Sequence, residues 1–168
     1  MQKQNRLRYA LHAISLLILF LMQGTRGLTV EIFGVAPLLL IPFSVCIGMF
    51  EHEVAGASFG FAAGLLWDVN AGGWPGFNAI MLMIFGWLCG WLITNLIRNN
   101  FLSAFLLTGG SLAVYSVLHW LFFYCLAGYD NAAYAFWHFD AVQAVYSLLC
   151  VIPMYFSIRF FMKVMRAL

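Results

Sequence analysis

The sequence predicts an all-α integral membrane protein, one domain built as a six-transmembrane-helix bundle. Three observations lead there. Of 168 residues, 64% are hydrophobic and 8% are charged, against about 25% charged in soluble domains; so few charges would not cover a water-soluble fold of this length. The apolar residues gather into six stretches, near 8–25, 33–50, 54–67, 76–96, 101–128 and 139–162. The basic residues then divide unequally. With six crossings, Lys3, Arg6, Arg8, Arg98, Arg159, Lys163 and Arg166 share one side and Arg26 stands alone on the other, the asymmetry expected of a cytoplasmic face. A five-span alternative, with the second and third stretches forming a hairpin that does not cross, would move Arg98 and the three C-terminal cations outside. Six spans with both termini cytoplasmic is the better reading.

Each stretch has its own signals. Lys3, Arg6 and Arg8 precede the first, which ends at Gln23-Gly24-Thr25-Arg26 with no A-x-A-like cleavage site. It therefore reads as an uncleaved first helix and not as a signal peptide. Pro37 and Pro42 in the second stretch and Pro153 in the sixth are expected to kink helices two and six, leaving carbonyls for neighbours to satisfy. The third is shorter than the roughly 20 residues of a straight span, and it is striped with glycine. Both features place it inside the bundle, where short helices and irregular flanking backbone are tolerated. The fourth follows a turn at Gly72-Gly73-Trp74-Pro75-Gly76. Trp67, Trp74, Tyr129, Tyr134 and Trp137 fall near the outer interface, as an aromatic belt should.

The stripe is the most informative feature. Gly56, Gly60, Gly64 and Asp68 stand four residues apart, near one face of a helix. Such a side-chain-free face lets another helix approach backbone to backbone, as in GxxxG packing. The fourth stretch offers a second small pair, Gly86 and Gly90, beside Trp87 and Trp91. Two readings stay open: the third and fourth helices pack through these faces, or one face recruits another protein. Asp68 is either a carboxylate that pairs with a partner or caps the following turn, or an interfacial residue that ends the apolar run.

Little else carries chemistry. Glu51-His52-Glu53 reads as a solvated cytoplasmic turn, His12 as interfacial and His119 as a satisfied core histidine. His138 and Asp140, with Asp130, match no metal signature. No HExxH, GxSxG or phosphate-binding glycine loop is present. Cys46, Cys89, Cys125 and Cys150 form no CxxC pair and read as small buried hydrophobes. The polar residues within the spans, among them Gln23, Asn78, Gln143 and Ser147, are thin provision for an aqueous path. The net charge of +2 points to no nucleic-acid partner, and no cofactor, metal or catalytic residue is expected.

The run Gly56-x3-Gly60-x3-Gly64-Leu65-Leu66-Trp67-Asp68-Val69, then Gly72, the Pro75-Gly76-Phe77-Asn78-Ala79 start of a long apolar helix, and Gly86 with Gly90, resembles the rod shape-determining protein MreD family. Leu21-Met22-Gln23 at the end of the first span and Pro37-Leu38-Leu39 at the start of the second fit the same family. The resemblance is densest over 54–92; the C-terminal third matches only as apolar helices. It implies a non-catalytic protein of the bacterial cytoplasmic membrane that binds the bitopic protein MreC. Through MreC it would link the actin-like MreB filament to lateral peptidoglycan synthesis by a RodA-type glycosyltransferase and its penicillin-binding transpeptidase. The glycine face ending at Asp68 would then shape the surface on which MreC docks.

The implied fold is similar to the substrate-binding S components of energy-coupling-factor transporters, which supplies an alternative, a vitamin-uptake subunit. Those proteins carry an alanine-x3-alanine pair on helix one; here Ala10 and Ala13 are one residue too close.

Overall fold

The computed structural model describes residues 2–25, 35–71, 74–126, 134 and 136–167. These fold into helices, with no strand among them. The helices are α1 (Gln2–Gly24), α2 (Leu40–Glu51), α3 (Glu53–Ala71) and α4 (Phe77–Asn95). Helix α5 (Phe101–Trp120) is prolonged by a π-helical turn, Leu121–Cys125. A second π-helical turn, Phe136–Asp140, leads into α6 (Ala141–Leu149) and, past Cys150, into α7 (Val151–Ala167). Four stretches are long and apolar enough to cross a membrane: Arg6–Gly24, Phe77–Asn95, Phe101–Cys125 and Phe136–Val164.

Successive stretches run antiparallel. Arg8 near the start of α1 meets Glu51 at the end of α2, and Gln23 at the end of α1 meets Leu40 at the start of α2. His119 of α5 pairs with Asp140 before α6, while Phe101 packs on Tyr155 of α7. One end of the bundle thus gathers Arg8, Glu51, Asn99 and Tyr155, and the other Gln23, Asp68, Asn78 and Asp140.

Helix α2 is the hub. It touches α1, α3, α4, α5 and α7, and Leu40 to Met49 are all buried. A helix apolar on every side has no solvent or lipid face to offer, so it belongs in the centre. It is also much shorter than expected: the second apolar stretch is helical over only 12 residues, about 18 Å.

The largely buried lead-in before it, 35–39, is not helical, so its amides and carbonyls need partners. Side chains supply them. Gln23 Oε1 accepts from Leu40 N–H at 3.1 Å, Ser147 Oγ accepts from Leu38 N–H at 2.7 Å, and Gln143 Nε2 donates to the Ala36 carbonyl at 2.9 Å. The intramembrane polar residues that looked too few for an aqueous path serve instead to satisfy this backbone.

Two other expectations change. Pro42 does not kink α2, because it sits in the first turn, where a proline forfeits no intrahelical hydrogen bond. Pro37 precedes the helix. Pro153 does break the sixth stretch: its ring clashes with the carbonyl of residue 149, and the helix restarts after Cys150. The third stretch is not short either; α3 runs 19 residues, past Asp68 at one end and starting at Glu53 at the other.

Only His52 separates α2 from α3. Its backbone, φ 89° and ψ 167°, lies in a region populated essentially by glycine, at about 1–3 kcal/mol for other residues. The turn is imposed by what it joins. A Cβ on Gly56 would fall 2.6 Å from the Gly48 Cα, so the two helices touch at the backbone within two turns of the corner. The His52 carbonyl also accepts from Gly56 N–H of α3 at 3.0 Å.

Replacing His52 with glycine should therefore stabilise the protein by about 1 kcal/mol, the strain released less the added chain entropy of about 0.5–1 kcal/mol. The thermal midpoint in detergent should rise; a fall would show that the corner is unstrained. Ser147→Ala should cost about 1–3 kcal/mol by orphaning the buried Leu38 N–H, read as a lower midpoint in the same assay.

Candidate functional site: the glycine seam and its carboxylate cap

The three stripe glycines face α4 along their whole length, in the most extensive helix contact of the fold. A Cβ on Gly56 would strike the Gly86 carbonyl, one on Gly60 the Leu82 carbonyl, and one on Gly64 the Ala79 Cα and Asn78 carbonyl. In return, Gly86 faces the Gly56 carbonyl and Gly90 the backbone of Glu53. Every one of these neighbours is backbone, which does not yield as a flexible side chain would. Of the two readings left open by the sequence, the structure displays the first: the third and fourth helices pack through their glycine faces. The seam is closed by α4 and offers no free face to a partner.

A sixth glycine belongs to the seam and escaped sequence reading. A Cβ on Gly48 of α2 would meet the Gly86 carbonyl and the Gly90 amide. Gly48, Gly56, Gly86 and Gly90 thus join three helices at one node. Gly48 continues the four-residue period backwards from Gly56, but the polar Glu51-His52-Glu53 corner interrupts the pattern and hides the connection.

At the far end of the seam, Asp68 caps α4. Its carboxylate accepts from three backbone amides: Gly76 at 3.0 Å, Asn78 at 3.1 Å and Ala79 at 3.1 Å. The first turn of a helix leaves such amides without intrahelical partners. A residue at the N-cap usually serves them from its own side chain. Here the N-cap is Gly76, whose φ of 93° demands glycine and so leaves no side chain to do it. The neighbouring helix supplies the missing acceptor, and its negative charge also suits the positive end of the α4 dipole.

Asn78, the first fully buried residue of α4, extends the linkage. Its Oδ1 accepts from Tyr115 Oη at 2.8 Å. The Tyr115 ring stacks between Trp67 of α3, at 5.5 Å, and His119 of α5, at 5.7 Å. His119 in turn lies 3.0 Å from Asp140 Oδ1 through its Nδ1. One chain of contacts therefore ties α3, α4, α5 and the start of α6 at a single end of the bundle. Asp140 is 4% exposed, and among the described residues its Oδ2 has no partner.

The opposite end holds a second polar cluster that corrects the sequence reading. Glu51 is not solvated but 5% exposed. The Arg8 guanidinium grips both of its oxygens, and His12 Nε2 lies 3.0 Å from Oε1. His12 is buried, not interfacial. Sequence spacing could not find this pair, since its members lie 39 and 43 residues apart.

Gly72 and Asp130 lie outside the described residues. His138 is exposed, and among the described residues no three His, Cys, Asp or Glu side chains gather to hold a metal. Cys46 and Cys89 are buried as expected; Cys125 is exposed and Cys150 half-buried.

Gly60→Leu should abolish the folded, monodisperse protein, because its side chain would overpack the Leu82 backbone. Gly110→Leu, where a Cβ meets nothing within 4 Å, should fold as wild type; equal behaviour of the two would remove the seam's importance. Asp68→Ala should lower stability by about 1–3 kcal/mol by orphaning three amides. Asp68→Asn, which keeps one acceptor oxygen, should recover part of that loss in thermal unfolding. Compared with known proteins, the chain matches no family model, no curated protein and no solved structure.

Proposed function

We propose that this protein is a non-enzymatic scaffold of the bacterial cell-elongation machinery, a six-span protein of the cytoplasmic membrane with both termini inside. It would bind MreC directly and, through it, connect MreB filaments to the RodA-type glycosyltransferase and its penicillin-binding transpeptidase, so regulating cell shape. The observation that carries this reading is the coincidence of resemblance and mechanics. The residues that resemble the MreD family, Gly56 to Asp68, Gly76, Asn78, Gly86 and Gly90, are the ones that lock α3 onto α4. A rigid hairpin of this kind suits a protein that transmits position and not chemistry. The polar side chains lend further support: Gln23, Asp68, Gln143 and Ser147 are engaged in holding backbone. Since the seam is filled, MreC would meet the outer faces of the bundle that the seam positions.

A second reading, the S component of a vitamin transporter with a similar fold, is favoured by one observation. A cavity of about 550 Å³ lies between α1 and α7, within the roughly 300–1,000 Å³ of small-molecule sites.

Affinity purification from native membranes in mild detergent separates the two. MreC in the eluate of the wild-type protein, and equally with the surface variant Gly110→Leu, is the expected result. An ATPase module with its transmembrane coupler would overturn the scaffold in favour of uptake.

A further inference from the structure

Helix α1 is the least buried of the four long apolar stretches. Its polar ties to the bundle lie at its ends, Arg8 and His12 on Glu51 and Gln23 on Leu40, while Leu16 packs into the core between them. Between these ties it stands off from α7. The half-enclosed groove left there has Leu11 to Met22 of α1 as one wall, Cys150 to Phe161 as the other, and Leu39 and Phe43 as its floor.

Its dimensions restrict what fills it. The wall from Leu11 to Met22 is ~17 Å long at ~1.5 Å per residue, close to the ~15 Å of one leaflet of a ~30 Å hydrocarbon core. The groove is half-enclosed, with a volume of about 550 Å³, and at one leaflet's length it suits a single flexible hydrocarbon chain. Its lining is almost wholly apolar, and lipid is the medium that surrounds an apolar bundle.

Charge fixes the rest of the ligand. Arg8 lies one turn beyond Leu11 and His12 on the groove face of α1, and its side chain remains 27% exposed beside Glu51. Arg6, Arg98, Arg159 and Lys163 lie at this same end and outnumber its two acids, Glu51, which is paired with Arg8, and Glu53. At the other end the described charges are Asp68 and Asp140. Among the described residues, a head group carrying negative charge is therefore matched at the Arg8 end only. We infer that the groove between α1 and α7 is a specific site for one acyl chain of an anionic phospholipid, its phosphate at the basic end. This site is independent of the scaffold reading and stands or falls separately.

Native mass spectrometry of the detergent-solubilised protein tests it, with phosphatidylglycerol and phosphatidylcholine of the same acyl chains as probes. One phosphatidylglycerol per protein should be retained, at least threefold more than phosphatidylcholine. Ser157→Trp on one wall, or Ser15→Phe on the other, should reduce retention at least tenfold by filling the groove. Ala113→Trp on the exposed face of α5 should leave it unchanged. Equal retention of the two lipids overturns the charge match and needs no variant to detect. Undiminished retention in a folded wall variant overturns the site, as would a co-extracted polypeptide displaced by those variants in place of lipid.

Discussion

Three helices share one point where no side chain fits, and the remainder of the bundle is arranged around it. Gly48, Gly56, Gly86 and Gly90 bring the backbones of α2, α3 and α4 into direct contact. In a bilayer the hydrophobic effect does not drive helices together, because lipid tails are as apolar as leucine. Close packing must supply the attraction, and it does so best where backbones touch over a long, smooth surface. The stripe provides that surface for several turns. Its consequences reach the corner at His52, which accepts an unfavourable backbone conformation because the helices on either side are already in contact.

The second constraint is the hydrogen-bonding demand of backbone that leaves a helix within an apolar interior. It arises twice, and each time a distant side chain meets it. The non-helical residues before α2 and the first amide of the helix are satisfied by Gln23, Gln143 and Ser147. The first turn of α4 is satisfied by Asp68. Both devices sit at the same end of the bundle, with the Asn78–Tyr115 hydrogen bond and the stacked rings of Trp67, Tyr115 and His119. That end is cross-braced by polar contacts spanning most of the helices. The other end depends on one polar cluster, in which Arg8 and His12 meet the two oxygens of the buried Glu51 carboxylate.

This unequal bracing explains the shape. Helices α2, α3 and α4 form a tight slab, while α1 is fastened at its ends and leaves a lateral groove beside α7. The bundle is thus closely packed on one side and carries an open apolar groove on the other.

Much of this was legible in the sequence. Composition settles the helical, membrane-compatible class, since 8% charge leaves no other way to cover the chain. The four-residue spacing of Gly56, Gly60, Gly64 and Asp68 marks a contact face because helical periodicity is local and strict. The tertiary structure alone decided which surface meets that face, that Gly48 joins it, and that the Asp68 carboxylate reaches the amides of Gly76, Asn78 and Ala79. It alone revealed the pairing of Arg8 and His12 with Glu51, and the shortening of α2 behind a buried non-helical segment. The physical reason is the same in each case. Periodicity and hydropathy are properties of neighbours along the chain, whereas a hydrogen bond between residues far apart in sequence exists only once packing has brought its two ends together.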